Sequence, residues 1–281
     1  MPGSPPEGAV AVVCNDFGGA QTIVPWARER GDAVLFVTGP AARLVERLPG
    51  STGAERAATL DAALDRADWV LTGTGWQTDL EHRARIAARE RGLPSVAWLD
   101  HWVHYAERFA RDGEVVWPDA FWVSDAEAEA EAGRCFSPER VRLVESPFHR
   151  AQREELLRVE KGPTTLLLME PVRADWGRPG PGELQALDHL WATRPPEPPV
   201  RLRPHPAEEE GKYDAWIAAH PGVDLDRSPD LVSALKGAGT VYGLESTALV
   251  WAGEAGFRVA TILPPWAPPC RLPHAFIERP W

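Results

Sequence analysis

AVAVVCNDFGGAQTIVPWARERGDAVLFVTG, residues 9–39, holds the pattern that decides the fold. AVAVVCN (9–15) is a short β-branched run with no polar alternation, the mark of a strand covered on both faces. The turn DFGG interrupts it, QTIVPWARERG reads as a helix closed by Gly31, and AVLFVTG (33–39) is a second buried strand.

The same alternation continues outward. PAARLVERL is helical, ERAATLDAALDRA has apolar positions at helical spacing, and WVLTGTG (69–75) is a third strand. QTDLEHRARIAARERG (77–92) is a helix with Ala and Leu on one face, Arg and Glu on the other, and Gly92 as its stop. PSVAWLD (94–100), AFWVSD (120–125) and VRLVESP (141–147) are further strands. AEAEAEAGRCF is a helix whose glutamates form a solvated face. A charged helix, AQREELLRVEKG, leads to a second series that starts at TTLLLMEP (164–171) and runs through VRLRPHP, VDLDRS, TVYGLES and RVATILP, with helices between. The fold class is therefore α/β: two Rossmann-like parallel-sheet domains, 1–160 and 161–281, facing a central cleft.

Bulk properties narrow the function. The 281 residues are 44% hydrophobic and 25% charged, ordinary for a globular protein with a packed core. A net charge of −11 excludes a general nucleic-acid binder, yet leaves room for a local basic pocket. Cys14, Cys135 and Cys270 have no paired spacing, so neither a disulfide framework nor a thiolate zinc site is expected. The polar opening MPGSPPEG and the strand-sized apolar runs predict no signal peptide, no transmembrane segment and a cytoplasmic setting. The oligomeric state is not fixed by the sequence.

In parallel α/β sheets ligands bind beyond the carboxyl ends of the strands. That rule selects Asn15 to Gly19, Thr72 to Trp76, Asp100 to His104, Ser124 and Asp125, Glu170 and Pro171, Arg203 to Pro206, and Gly243 to Thr247. RLRPHPAEEEGKY (201–213) gathers Arg201, Arg203 and His205 at one such end, with shared strand parity. In GLESTALVWAGEAG (243–256), Ser246 and Thr247 stand where a helix begins, offering N–H groups and hydroxyls to an anion; Ser246 as a plain N-cap is the alternative.

RPHP followed by GLESTALVWAGEAG resembles the carboxyl-terminal half of GT-B glycosyltransferases. It is most similar to bacterial enzymes that use CMP-activated sugars, including sialyl-, polysialyl- and capsule polymer transferases. The resemblance implies that His205 and Pro206, and then Ser246 and Thr247, bind the nucleotide phosphate and its surroundings. NDFGGAQTIVPWARERGDAVLFVTG resembles the GT-B opening, which makes 1–160 the acceptor domain and 161–281 the donor domain. The acidic-acidic-glycine motif of polysialyltransferases is missing, so no base carries over.

The expected function is transfer of a sugar from a nucleotide-activated donor to a small-molecule or glycan acceptor, as in polysaccharide biosynthesis. The reaction would be inverting and metal-independent, with no cofactor beyond the donor. His205, the helix start at Ser246 and Thr247, and Arg203 would stabilise charge on the leaving phosphate. Asp16, Asp100 and His101 are the candidate bases, Asp16 equally a helix cap. Glu170 and Glu245 would hold ribose hydroxyls or satisfy backbone donors, and Gly18, Gly19 and Thr74 complete the cleft. The alternatives are a nucleotide-sugar hydrolase or epimerase, or a non-catalytic nucleotide-binding protein of this fold. DHWVHYAE (100–107) has a rival reading, with Asp100, His101, His104 and Glu107 on one helical face as metal ligands; Trp102 and Tyr105 fit an aromatic acceptor wall at least as well. No dinucleotide fingerprint, P-loop or G-x-S-x-G elbow occurs.

Overall fold

A computed structural model of the protein describes residues 6–48, 54–172 and 174–281; residues 1–5 of the polar opening lie outside the described residues. The chain divides into two compact units, Met1–Ala151 and Gln152–Trp281.

The first unit begins with β1 (Val10–Cys14), α1 (Phe17–Arg28), β2 (Ala33–Val37), α2 (Gly39–Arg47), β3 (Glu55–Arg56), α3 (Leu60–Leu64), β4 (Trp69–Thr72), α4 (Leu80–Arg91) and β5 (Ser95–Trp98). An antiparallel pair, β6 (Ala110–Arg111) and β7 (Glu114–Val115), precedes β8 (Ala120–Val123), α5 (Ala126–Cys135) and β9 (Val141–Leu143). The main sheet has the order β3-β2-β1-β4-β5-β8-β9, with every pairing parallel. Its order reverses between β1 and β4, which places a crevice at their carboxyl ends. All five residues of β1 are fully buried, the reason its sequence shows no alternation.

One face of this sheet is a cluster of indoles. Trp26 from α1 meets Trp69, Trp98 and Trp122 edge-on, with ring centroids 6.0, 6.1 and 5.1 Å away. Edge-to-face pairs of this kind contribute roughly 0.5–1.5 kcal/mol each beyond burial, so α1 is fixed firmly against the strands whose ends it serves.

Two helix limits differ from expectation. The first helix stops at Arg28 rather than at Gly31, because the Val10 N–H donates to the Asp32 carbonyl and draws the chain into the sheet. The run ERAATLDAALDRA is helical only over α3, since Glu55 and Arg56 pair with β2 as an edge strand. At α4 the expected stop holds: Gly92 adopts φ +68°, a left-handed conformation that glycine reaches without a Cβ clash.

α6 (Pro147–Leu157) leads into the second unit, which contains β10 (Thr164–Leu168), α7 (Gly182–Thr193), β11 (Val200–Arg203), α8 (Asp214–Ala219), β12 (Val223–Leu225), α9 (Leu231–Leu235), β13 (Ala238–Gly243), α10 (Thr247–Glu254), β14 (Arg258–Thr261) and β15 (Ile277–Glu278). Its sheet order is β12-β11-β10-β13-β14-β15, again all parallel, reversing between β10 and β13. Leu167, Leu187, Leu190 and Leu202 are fully buried in its core. Among the described residues no helix is long and apolar enough to cross a membrane.

Candidate functional site

Each unit carries a polar cluster at its sheet reversal. In the first, the chain leaves β1 through Asn15 and Asp16, and the Asp16 carboxylate accepts the N–H groups of Gly18 and Gly19 at 2.9–3.3 Å. Asp16 is thus the N-cap of α1. It is also more than a cap, because the ends of β4 and β5 converge on it. A Cβ on Gly75 would lie 3.1 Å from the Asp16 Cβ, and one on Gly18 would lie 2.8 Å from Asp100 Oδ2. Only glycine lets these loops approach so closely.

Asp100 accepts from Arg108 Nη1 at 2.7 Å and from Thr74 Oγ1 at 3.3 Å, while Arg108 also donates to Thr74 at 2.9 Å. The two carboxyls are driven in opposite directions. Burial, with the Asp100 charge behind it, pushes Asp16 up to about 7. Burial acts on Asp100 too, but the Arg108 guanidinium and His101 overcome it and hold that carboxyl below its ordinary value. Such a split separates an acid from a base within one cluster.

Asp16, Gly18, Gly19, Thr74 and Asp100 are therefore brought together. His101 lies beside them with its Nδ1 accepting the Trp102 N–H at 3.0 Å. The segment after Asp100 is not a helix: it bends and turns, and His104 takes φ +58°. The four-ligand helical face is accordingly not formed. Trp102 and Tyr105 are buried at 7% and 3% exposure, so they line the core instead of an acceptor wall. The exposed aromatics at this end are Phe17 and Trp76.

In the second unit the ends of β11, β10 and β13 are consecutive in the sheet, spanning about 10 Å at ordinary strand spacing. β11 ends at Arg203 and passes into Pro204, His205 and Pro206. The Glu208 side chain, fully buried, accepts the His205 N–H at 2.8 Å, Lys212 Nζ at 2.8 Å and Tyr213 Oη at 2.6 Å. His205 Nδ1 accepts the Ala207 N–H at 3.1 Å, and burial lowers the imidazole's pKa. A neutral ring whose Nδ1 accepts must carry its proton on Nε2, leaving that atom as a donor.

Arg203 and Arg201 do not share the loop's task. Arg203 Nη1 pairs with the buried Asp226 carboxylate at 2.7 Å and donates to the Ser228 carbonyl, and Arg201 donates to the Lys236 carbonyl. Glu170 accepts the backbone N–H of Glu245, and Glu245 is held by Arg271 at 2.7 Å. Ser246 occupies the N-cap position of α10, yet its hydroxyl makes no cap bond, whereas Asp16, Thr59, Asp125 and Asp230 cap their helices through side chains.

No family model matches the chain, and no curated protein does. Solved structures match it over most of its length. A putative UDP-N-acetylglucosamine 2-epimerase from Listeria monocytogenes is 16% identical, with 91% of this chain and 79% of that one covered and a TM-score of 0.57. The UDP-GlcNAc 2-epimerase from Neisseria meningitidis, bound to UDP-GlcNAc, is 10% identical with 86% and 78% covered and a TM-score of 0.54. The glycotransferase of kitacinnamycin is 17% identical with 92% and 80% covered and a TM-score of 0.54. What they share with this chain is the fold. It is the GT-B fold, two Rossmann-like domains built on parallel sheets.

Sequence reasoning missed Glu81, Arg108, Arg111 and Glu208. Arg111 donates to the Gly75 carbonyl at 2.8 Å, and Glu81 Oε1 accepts the Asn15 N–H at 2.8 Å. Glu81 was read only as part of the charged face of its helix; the signal that could have marked Glu208 was its place two residues beyond the His-Pro pair.

Proposed function

We propose that the protein is a glycosyltransferase that moves a sugar from a nucleoside-diphosphate donor to an acceptor hydroxyl. His205 Nε2, the hydroxyls of Ser246 and Thr247, and the first-turn N–H groups of α10 receive the donor phosphate. The observation that carries this reading is the Ser246 hydroxyl, which stands at a helix start without capping it. As the bond from the anomeric carbon to the phosphate oxygen breaks, negative charge grows on that oxygen, and fixed donors there favour the transition state over the ground state. The acceptor oxygen forms the new bond to the anomeric carbon as its proton passes to a carboxylate base, for which Asp16 is the candidate. Arg203 holds Asp226 in this scheme and leaves the phosphate to the dipoles.

Uridine diphosphate is the nucleotide placed first. A structure of similar fold is bound to UDP-GlcNAc, and nothing in the comparisons supports the CMP-sugar enzymes. An epimerase or hydrolase is the second reading, supported by the two carboxyls of Asp16 and Asp100 with values driven apart. Sugar release from UDP-sugars at full turnover without acceptor would favour it over transfer.

Isothermal titration with UDP, CMP, CDP and GDP tests the site. The expected result is UDP binding weakened about tenfold or more in His205→Ala and in Ser246→Ala, the effect of losing one charge-assisted donor. Absent binding, or equal affinity in wild type and both variants, removes the assignment.

A further inference from the structure

The first unit gathers more charge than the proposed chemistry uses, with Glu81 and Arg85 buried and the other groups half-buried. Three carboxylates (Asp16, Glu81, Asp100) and three guanidinium groups (Arg85, Arg108, Arg111) gather behind the β1–β4 reversal. Arg108 is committed to Asp100. Arg85 donates to the Val116 carbonyl at 3.1 Å and to Thr72 at 3.4 Å, Arg111 donates to the Gly75 carbonyl, and both act on Glu81 through space. Among the described residues, Asp16 pairs with backbone N–H groups and with no cation. Its other titratable neighbours are the buried Cys14 thiol beneath it and, past Asp100, His101.

Glu81 is the member without an assigned role. It projects from the first turn of α4 and is 1% exposed. Oε1 takes the Asn15 N–H at 2.8 Å and would lie 3.2 Å from a Cβ on Gly75, while Oε2 is buried with no hydrogen-bond partner among the described residues. Burying a carboxylate costs several kcal/mol unless hydrogen bonds and opposite charges offset it. The same Gly75 Cβ position lies 3.6 Å from Asp16 Cγ, so one point on the β4 loop touches both acidic side chains.

We infer that Glu81 is a positioning residue acting through Asp16: it clamps the Asn15–Asp16 turn to the first turn of α4, and its charge contributes to the field that the Asp16 carboxyl meets. The clamp and the field come from different parts of one side chain. The amide acceptor fixes where Asp16 sits. Burial raises the Glu81 carboxyl and Arg85 and Arg111 pull it back toward the charged form, whose negative charge raises the Asp16 carboxyl. The inference rests on Asp16 being the proton carrier of the proposed reaction, but its test needs no nucleotide, so the two can fail separately.

The measurement is the titration of carboxyl-13C-labelled aspartate in the free full-length protein, with the Asp16 signal assigned from Asp16→Asn, together with amide exchange at Asn15. Glu81→Gln keeps an acceptor and loses the charge. The Asp16 midpoint, about 7 in the wild type, should fall by about one unit or more, with Asn15 exchange unchanged. Glu81→Asp keeps the charge and loses the reach. Its Asp16 midpoint should stay close to wild type while Asn15 exchanges faster by about tenfold, the loss of one buried hydrogen bond. A Glu129→Gln control on the exposed face of α5 should move neither. An unmoved Asp16 midpoint in Glu81→Gln, or unmoved Asn15 exchange in Glu81→Asp, overturns the inference; if the Gln variant fails to fold, the Asp variant still decides the clamp.

Discussion

The carboxylate of Glu170, at the end of β10, accepts the backbone N–H of Glu245, at the end of β13, and so ties the two strands together where the sheet order reverses. Burial pushes this carboxyl up to about 7 against the pull of that N–H, with the charges of Glu245 and Glu208 adding to the rise. Asp16 stands at about 7 in the other unit for a similar reason. Each unit thus keeps a buried carboxyl that holds its proton far above the value of an exposed one.

Linkage gives this a sign. Both folded values lie above the ordinary ones of 3.8 and 4.5, so the native state binds more protons than the unfolded chain between about pH 4 and pH 7. The associated stability is complete below that window and lost as pH rises through about 7. Urea unfolding at pH 5 and pH 8 should show wild type losing more stability across the interval than Asp16→Asn or Glu170→Gln. Staying above pH 5 keeps Asp100, whose shift runs the other way, ionised throughout.

Lys212 lies between the buried carboxylates of Glu183 and Glu208, whose side chains are 2% and 0% exposed. Lys212→Met leaves two facing acids without a cation, and should cost about 3–5 kcal/mol in stability. Because Glu208 also holds the His205 N–H, the same variant should weaken UDP binding. Chemical denaturation and titration on one preparation read both effects.

Gly18→Ala sets a methyl 2.8 Å from Asp100 Oδ2. The carboxylate must move away from Thr74 or from Arg108, at a cost of about 1–3 kcal/mol for overpacking. Turnover should fall much further than the melting temperature suggests, since the displaced group belongs to the cluster around Asp16. Gly92→Ala is the control: open space surrounds that position, so only the left-handed cap is lost and turnover should hold.

The central strands were legible because both faces are covered, which makes VAVVC an unbroken apolar run and keeps TTLLL free of charge. The ends of those runs gave Asp16, Asp100, His205 and Ser246 by position alone. Charge was harder to read. On α4, Glu81 and Arg85 look like a solvated ion pair at helical spacing, yet both are 1% exposed, since the β6–β7 pair and the Val116 carbonyl close over that face. Arg201 and Arg203 misled in the opposite sense: strand parity placed them beside His205, but Asp226 on the neighbouring strand's exit is the nearer anion. The DHWVHYAE segment shows the limit of spacing arguments, because burial of Trp102 and Tyr105 forces bends where an i, i+3 pattern suggests a helix.

The pairing of Arg203, Arg271 and Lys212 in the second unit has an outcome at the level of ionic strength. Arg203 is matched by Asp226, Arg271 by Glu245, and Lys212 by two glutamates. An arriving polyanion therefore meets oriented N–H and O–H groups on a molecule of net charge −11. Added potassium chloride screens that long-range repulsion over about 10 Å at 0.1 M while leaving short dipole contacts intact. UDP should consequently bind faster in moderate salt than in dilute buffer, and stopped-flow association rates across a salt series check this.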